Sequence, residues 1–210
     1  MQPPDAVELR VLGCLIEKQR TTPDVYPLSL NSLRLACNQA TNRDPVVDYD
    51  ERTIRDGLQR LAARRWTRLA SDAGSRATKY RHLLDETLEV NPPQISLLAV
   101  LMLRGAQTPG ELKARTERLF PFADLDQVQV ALDELAERRL VMRLERRPGQ
   151  KEERWIQILG GAQAEPQAAA GPTTAPVAPE PPDRLAQIEE RLRRLEEQFA
   201  ALLADDPPVA

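Results

Sequence analysis

The feature that most restricts the fold is an internal repeat, in which two segments of the chain follow the same pattern. "IRDGLQRLAARRW", which begins at Ile54, aligns with "VQVALDELAERRL", which begins at Val128. With one additional residue in the second copy, "GSRATKYRHLL" from Gly74 then aligns with "GQKEERWIQIL" from Gly149. A periodic helix followed by a hairpin therefore occurs twice in the same order, which indicates a duplicated structural unit.

Capping signals extend each copy to three helices before its hairpin. An N-cap side chain accepts hydrogen bonds from backbone N–H groups that have no partner inside the helix. Such side chains precede each predicted helix: Asp5, Ser29 and Asp50 in the first copy, and Asn91, Thr108 and Asp124 in the second. The order helix, helix, helix, strand, turn, strand predicts a mainly α fold with small β-hairpins. We interpret it as two tandem winged-helix domains, at residues 2–86 and 90–160.

The composition changes after Gly160. Residues 161–182 are rich in alanine and proline, which predicts a flexible linker. Residues 183–204 place apolar side chains at spacings of three and four, as in a coiled-coil helix. These side chains are Leu185, Ile188, Leu192, Leu195, Phe199 and Leu202. They predict self-association as a homodimer, and the alternative is an amphipathic helix that docks on its own chain.

Cysteine usage and the apolar segments indicate a soluble, cytoplasmic protein without a membrane partner. Two cysteines are too few for a disulfide framework. The N-terminal "MQPPDAVELR" has neither the basic nor the apolar region of a secretion signal, and "ISLLAVLML" is too short to span a bilayer.

Residues suited to catalysis or metal binding are scarce. Cys14 and Cys37 share helical faces with leucines and valines, which is typical of small core residues rather than nucleophiles. His82 is the only histidine, so a zinc site lacks its usual ligands, and no glycine-rich phosphate loop follows a strand. We therefore expect no cofactor, no metal and no enzymatic activity.

The charge distribution requires any DNA contact to come from local clusters. The net charge is -3, but residues from 162 onward contain 4 basic and 9 acidic residues, so the predicted folded part is nearly neutral. In a winged helix the third helix enters the major groove and the hairpin contacts backbone or minor groove. The first copy supplies the candidate DNA contacts: Arg52, Arg55, Gln59 and Arg60 from its third helix, and Arg76, Lys79 and Arg81 from its hairpin. The alternative is an ordinary solvated charged surface.

The second copy differs at these positions. Its third helix exposes acidic residues, namely Asp126, Asp133, Glu134 and Glu137, which would repel phosphates. Its hairpin mixes Arg146, Arg147 and Lys151 with three glutamates, and its first helix is apolar on nearly all sides. We interpret this copy as a packing or partner module whose hairpin provides at most additional DNA contacts.

The segment "LACNQATNRDPV" joins the second and third helices of the first copy. Asn38 and Asn42 suit capping or left-handed positions, because a short amide can bond its own backbone. We favour a structural corner, with Arg43 and Asp44 paired locally. The alternative is that Asn38, Gln39 or Arg43 lies beside the third helix and contacts DNA.

Long strings of the chain resemble the YceH-type family of bacterial proteins. They are "LIEKQRTTPDVYPLSLNSLRLACNQATNRDPV", "LMLRGAQTPGELKARTERLFPF" and "RRPGQKEERW". The resemblance covers nearly all of residues 5–160 and implies tandem winged-helix domains. It supplies no functional residues, substrate or partner.

Two functional hypotheses follow. The first is a dimeric bacterial transcription regulator that binds double-stranded DNA through the first copy. The second is a non-catalytic tandem winged-helix adaptor that mediates protein–protein interaction. Neither the DNA sequence, the regulated genes nor a small-molecule effector is indicated.

Overall fold

The computed structural model describes residues 2–70, 78–146 and 152–161, which form seven α-helices and five β-strands. The first repeat contains α1 (Ala6–Thr21), β1 (Leu28–Ser29), α2 (Leu30–Cys37), α3 (Glu51–Ala63), β2 (Thr67–Ala70) and β3 (Lys79–His82). The short helix α4 (Leu84–Leu88) lies between the repeats. The second repeat contains α5 (Pro92–Arg104), α6 (Pro109–Thr116), α7 (Leu125–Glu137), β4 (Val141–Leu144) and β5 (Arg154–Gln157). The prediction of a mainly helical fold with small antiparallel sheets is confirmed.

The predicted N-caps are present at all six main helices. In each case the cap side chain accepts a hydrogen bond from the backbone N–H three residues later. At α1, the Glu8 backbone N–H donates to Asp5 Oδ1 at 2.8 Å, and at α5 the Gln94 N–H donates to Asn91 Oδ1 at 3.0 Å. These bonds satisfy donors that the helix itself leaves free, so local sequence fixes where each helix begins.

The two hairpins pair in the same register. Thr67 lies opposite His82 in the first hairpin, and Val141 lies opposite Gln157 in the second. β1 adds a third strand to the first sheet, which has the order β1-β3-β2. In the second repeat, a single bridge between Gln107 and Trp155 takes the place of that strand. The sequence alignment of the repeats therefore corresponds to an equivalence in three dimensions.

The helices before the hairpins, α3 and α7, also end in the same way. Arg65 and Arg139 have φ values of 62° and 56°, in the left-handed region that non-glycine residues seldom adopt. In both motifs the left-handed residue and its successor donate to carbonyls of the last turn: Arg65 to Ala62, Trp66 to Leu61, Arg139 to Ala136 and Leu140 to Leu135. This Schellman pattern satisfies carbonyls that the helix cannot bond itself.

The first helices of the two repeats, α1 and α5, pack against each other in a common core. A Cβ at Gly13 of α1 would lie 2.8 Å from Leu103 Cγ of α5, so only glycine permits this close approach. α5 is buried continuously from Gln94 to Leu103, as its apolar sequence predicts. The described residues all belong to one compact unit. Among the described segments, no helix combines the length and apolar character needed to cross a bilayer.

Candidate nucleic-acid interface

The outward face of α3 contains the predicted base-contacting side chains. Asp50 caps the helix by accepting from the Thr53 N–H at 2.7 Å, and the buried Ile54, Leu58 and Leu61 orient it against the core. Arg52, Arg55 and Gln59 consequently face outward, as the periodicity predicts.

The arginines on this face are only loosely paired. The Arg52 side chain is 87% exposed, and its Nε lies 4.0 Å from Asp56 Oδ2. The Arg55 side chain is 51% exposed, with its Nη2 3.9 Å from Glu51 Oε2. Both contacts are long for an ion pair, and exposed i,i+4 pairs contribute at most about 0.5 kcal/mol. A phosphate or a base edge that bound either guanidinium would therefore displace only a weak contact.

Arg60, also predicted as a DNA contact, connects α3 to the start of α1. Its Nε lies 3.2 Å from Glu8 Oε2, and its Nη2 lies 2.7 Å from Asp5 Oδ2. Arg64 Nε reaches the other Glu8 oxygen at 3.1 Å, and Arg64 also donates to the Gln2 carbonyl. Because Glu8 is buried, two arginines are required to compensate its charge. The geometry gives Arg60 a structural role that helical periodicity could not reveal.

The hairpin of the first repeat has a cationic outer face. Thr67 and His82 are buried, so the alternation of side chains turns the neighbouring pair, Arg68 and Arg81, to the opposite face. Lys79, two residues before Arg81, shares this face. Arg81 Nη2 pairs with Glu86 Oε1 at 2.7 Å, so its charge is partly compensated. The predicted contact Arg76 lies outside the described residues.

Sequence reasoning missed Arg68. Its side chain is exposed and lies directly across the ladder from Arg81. The sequence did contain a signal for it. Arg68 directly follows Thr67 on the strand that pairs with "KYRH", so the two side chains must point to opposite faces of the hairpin. Hairpin alternation would have placed it on the face that contains Lys79 and Arg81.

Arg43, predicted as a possible additional DNA contact, makes its hydrogen bonds inside the protein. Its side chain is fully buried, and all five of its N–H groups have acceptors. Two donate to the Glu17 carboxylate, with Nη2 2.6 Å from Oε2, and the others donate to Gln39 Oε1 and to the carbonyls of Ala36 and Asn42. The predicted local pair with Asp44 is wrong, because the nearer buried carboxylate belongs to Glu17.

The Arg43 contact also changes the titration of Glu17. Burial raises the pKa of the Glu17 carboxyl, but the hydrogen bond and positive charge of Arg43 more than offset this, so the pKa lies below its ordinary value. Glu17 is therefore ionised at neutral pH, and the pair is a true buried ion pair.

The amides of this corner make contacts within the protein, in agreement with the structural interpretation. Asn38 Oδ1 accepts from the Tyr49 N–H at 2.9 Å, and Asn38 Nδ2 donates to the Tyr49 carbonyl at 2.8 Å. Asn42 has a φ of 61°, the left-handed position expected of it. Gln39 uses its carbonyl oxygen for Arg43. Both Asn38 and Gln39 are thus occupied by contacts within the corner.

The two cysteines lie next to this corner and are fully buried. A hydrogen bond with Cys14 and burial raise the pKa of the Cys37 thiol, which disfavours a reactive thiolate at that position. Arg10, also buried, donates to the carbonyls of Cys37 and Pro45 at 3.1 and 2.6 Å. Within the described residues, no cluster of histidine, cysteine or acidic side chains has the arrangement of a metal site.

His82 is buried as a neutral ring. Its Nδ1 accepts from the Leu84 N–H at 3.3 Å, so the proton is on Nε2, which lies 2.6 Å from Gln19 Oε1. Burial lowers the pKa of His82 to about 4, with further lowering by Arg81 and Arg20 and opposition from Asp85. The ring serves as a hydrogen-bonding core residue.

In the second repeat, the equivalent helix α7 exposes acidic residues, as predicted. Asp126, Asp133 and Glu137 are exposed. Glu134 Oε2 accepts from Gln94 Nε2 at 2.7 Å. Glu134 occupies the position of Arg60, and Gln94 that of Glu8, so an ion pair in the first repeat corresponds to a hydrogen bond with one charged member in the second.

The remaining predicted contacts of the second repeat are partly described. Arg146 is exposed, and its Nε lies 3.9 Å from Glu153 Oε1, while Arg143 Nη1 is 3.0 Å from the other oxygen of Glu153. Arg147 and Lys151 lie outside the described residues. So do the predicted oligomerisation residues, Leu185, Ile188, Leu192, Leu195, Phe199 and Leu202.

Comparison with known proteins places the chain in a family. The family model described as "Protein of unknown function, DUF480" matches residues 5–150. A UPF0502 protein of Pelobacter propionicus is 48% identical over 202 residues, which cover 93% of this chain and 91% of the relative. The UPF0502 protein YceH of Escherichia fergusonii is 40% identical over 206 residues, which cover 95% of each chain. As its sequence strings indicated, the chain belongs to the DUF480 (UPF0502) family, together with the YceH homologues.

Proposed function

We propose that the chain is a non-catalytic DNA-binding protein, a dimeric transcription regulator that contacts double-stranded DNA through α3 and the hairpin of its first repeat. The observation that supports this most directly is the contrast among the arginines of that repeat. Arg10, Arg43, Arg60 and Arg64 are bound to groups of the protein itself, whereas Arg52 and Arg55 project from α3 with only long contacts. Two exposed and only loosely paired cations in the first half of a helix suit guanine edges or phosphates.

The architecture supports a tandem winged-helix arrangement. Each repeat has three helices followed by an antiparallel hairpin, and in the first repeat β1 completes a three-stranded sheet. In winged-helix domains the helix before the hairpin enters the major groove. α3 holds this position, and the adjacent hairpin presents Arg68, Lys79 and Arg81 on one face, where phosphates could be bound.

Acidic neighbours limit non-specific attraction. Glu51 and Asp56 share the exposed face with Arg52 and Arg55. Binding would therefore depend on contacts that form only when a matching sequence brings acceptors to the arginines, rather than on a continuous cationic surface. Free cysteines fit the reducing cytoplasm in which a regulator would act.

Dimerisation would be reinforced by the heptad segment at residues 183–204. A two-fold dimer would place two α3 helices at half-sites one helical turn apart, about 34 Å. Removal of residues 162–210 is then expected to weaken association at low protein concentration, as measured by light scattering.

A salt series of binding to mixed genomic DNA fragments tests the proposal. Phosphate contacts release counterions, so the observed affinity should fall with salt, with a log–log slope of about -0.9 per neutralised phosphate. Arg52→Ala combined with Arg55→Ala should weaken binding by about 1–3 kcal/mol for each of the two arginines that reads a base.

A matched control removes two positive charges from the second repeat. Arg118 and Arg139 are exposed there, and Arg118→Ala with Arg139→Ala should leave binding nearly unchanged. No retention at low salt, or an equal weakening in both double variants, would contradict binding through α3.

A second candidate function is a protein-binding adaptor. It is favoured by one observation, the exposure of Leu125 and Val130 on α7, at positions where α3 has Glu51 and Asp56. An apolar, acidic helix face suits a protein partner better than a polyanion.

A further inference from the structure

The exposed face of α7 combines apolar and acidic side chains on one side of the helix. Leu125 is 50% exposed and Val130 is 58% exposed, and Asp126, Gln129 and Asp133 lie between and beside them. Single exposed apolar residues are common on soluble proteins and need no explanation. Here, however, two of them stand at positions where the equivalent helix α3 has the charged Glu51 and Asp56.

A cleft adjoins this face. Its lining includes Leu125 and Gln129 of α7, Trp155 of β5 with the neighbouring Glu153, and Pro109 at the start of α6. The cleft has a volume of about 260 Å³, enough for one or two side chains. An apolar side chain that entered it would contact both Leu125 and Trp155.

Among the charged residues around the cleft that the structure describes, acidic side chains outnumber basic ones. Asp126 and Asp133 face solvent on α7, and Glu152 is exposed on the hairpin. Arg146, which also lines the cleft, and Arg143 both pair with Glu153. The rim would therefore attract lysine and arginine and repel phosphate.

We propose that the α7 face and its cleft bind a cationic amphipathic segment of a partner protein. An apolar side chain of the segment would occupy the cleft, and its lysines or arginines would lie against Asp126 and Asp133. This is the helix-in-groove mode, in which apolar anchors give affinity and surrounding charges give specificity. The inference rests on the adaptor role and is independent of DNA binding by α3.

The test uses the full-length chain and a fluorescein-labelled helical peptide of about four turns. The peptide has leucines spaced by three and four residues and lysines elsewhere. Two comparison peptides keep its length: one has glutamates in place of the lysines, and one has the leucines scrambled. Fluorescence anisotropy should show saturable binding of the lysine peptide and at least about tenfold weaker binding of both others.

Substitutions locate the site. Val130→Ser, and separately Asp126→Asn with Asp133→Asn, should each weaken binding of the lysine peptide by about tenfold. The matched control is Glu51→Asn with Asp56→Asn, which removes the same charge from α3 and should leave binding unchanged. Circular dichroism melting curves verify that each variant is folded.

Several results would overturn the inference. They are failure of the lysine peptide to bind, equal binding of the scrambled peptide, and an equal weakening in the α3 control. Loss of DNA retention in the Asp126 and Asp133 variant would also contradict it, since it would assign this face to nucleic acid. Arg52→Ala with Arg55→Ala should affect only DNA, so either proposal can fail while the other stands.

Discussion

The two repeats share one backbone plan but stabilise it with different side chains. Their hairpins have the same register, and α3 and α7 end in the same left-handed motif at Arg65 and Arg139. The corner before α3, in contrast, is held by the buried Arg43 and by Asn38. At the corner before α7, Phe122 is buried and meets Phe120 edge-on, with ring centroids 4.9 Å apart.

The corners also differ in length, since 13 residues (38–50) precede α3 and 8 residues (117–124) precede α7. The same order of helices is therefore compatible with an ionic or an apolar corner. An apolar corner loses stability gradually as apolar groups are removed. A buried ion pair fails abruptly when one partner is removed, because the other charge remains buried without compensation. The first repeat should therefore be the more sensitive of the two to single charge changes and to pH.

The largest effect is expected from Arg43→Leu. It leaves the Glu17 carboxylate, whose side chain is only 13% exposed, without its partner, so the free energy of unfolding should fall by about 3–5 kcal/mol, as measured by urea denaturation. The double variant Glu17→Leu with Arg43→Leu should recover a large part of this loss. A single variant as stable as the double would show that the ion pair does not hold the corner.

The second-largest effect is a dependence of the free energy of unfolding on pH, which is due to His82. The unfolded chain binds a proton at about pH 6.5, whereas the folded ring does so only at about 4. Between these values the unfolded state binds more protons than the folded state. The contribution of His82 to the free energy of unfolding is therefore fully present above about pH 6.5, and roughly 3 kcal/mol of it is lost as the pH falls towards about 4.

The second repeat supplies the control for this prediction. Gln157 occupies the position of His82, and its Oε1 accepts from the Leu159 N–H at 2.9 Å, just as His82 accepts from Leu84. His82→Gln should therefore keep the hydrogen bond and remove this part of the pH dependence. Urea titrations at neutral and mildly acidic pH measure the difference, and identical pH profiles for both proteins would refute it.

The smallest effect concerns the contact between the first and third helices, which is Glu8–Arg60 in the first repeat and Gln94–Glu134 in the second. Arg60→Glu brings a carboxylate to Asp5 and Glu8 and should destabilise the fold by about 2 kcal/mol, moderated by solvent because Arg60 is partly exposed. Adding Glu8→Gln recreates the Gln94–Glu134 pair and should restore most of the stability. If the second substitution gave no recovery in thermal melts, the two contacts would not be equivalent.

Local sequence signals predicted most of the fold, because caps and periodicity act over a few residues. The six capped helices and both hairpins lie where those signals place them. β1 escaped prediction because it is only two residues long and pairs through its backbone. The helix α4 was not predicted either, because it is short and has no side-chain cap.

The candidate site was harder to predict from the sequence, because the contacts that an arginine makes depend on residues far from it in the chain. Arg43 binds a carboxylate 26 residues away, and Arg60 binds one 52 residues away. Periodicity identified Arg52, Arg55 and Arg60 alike as outward-facing, and only tertiary structure separates the engaged one from the other two. Arg68 could have been found from strand alternation alone.

The shared hairpin register has a practical consequence for engineering. The segment between β4 and β5 is one residue longer than that between β2 and β3, yet the ladders pair identically. Pairing is thus dictated by the strands and by their contact with Leu28 or Gln107, rather than by loop length. A residue added between β2 and β3, or removed between β4 and β5, should therefore leave either ladder in its present register.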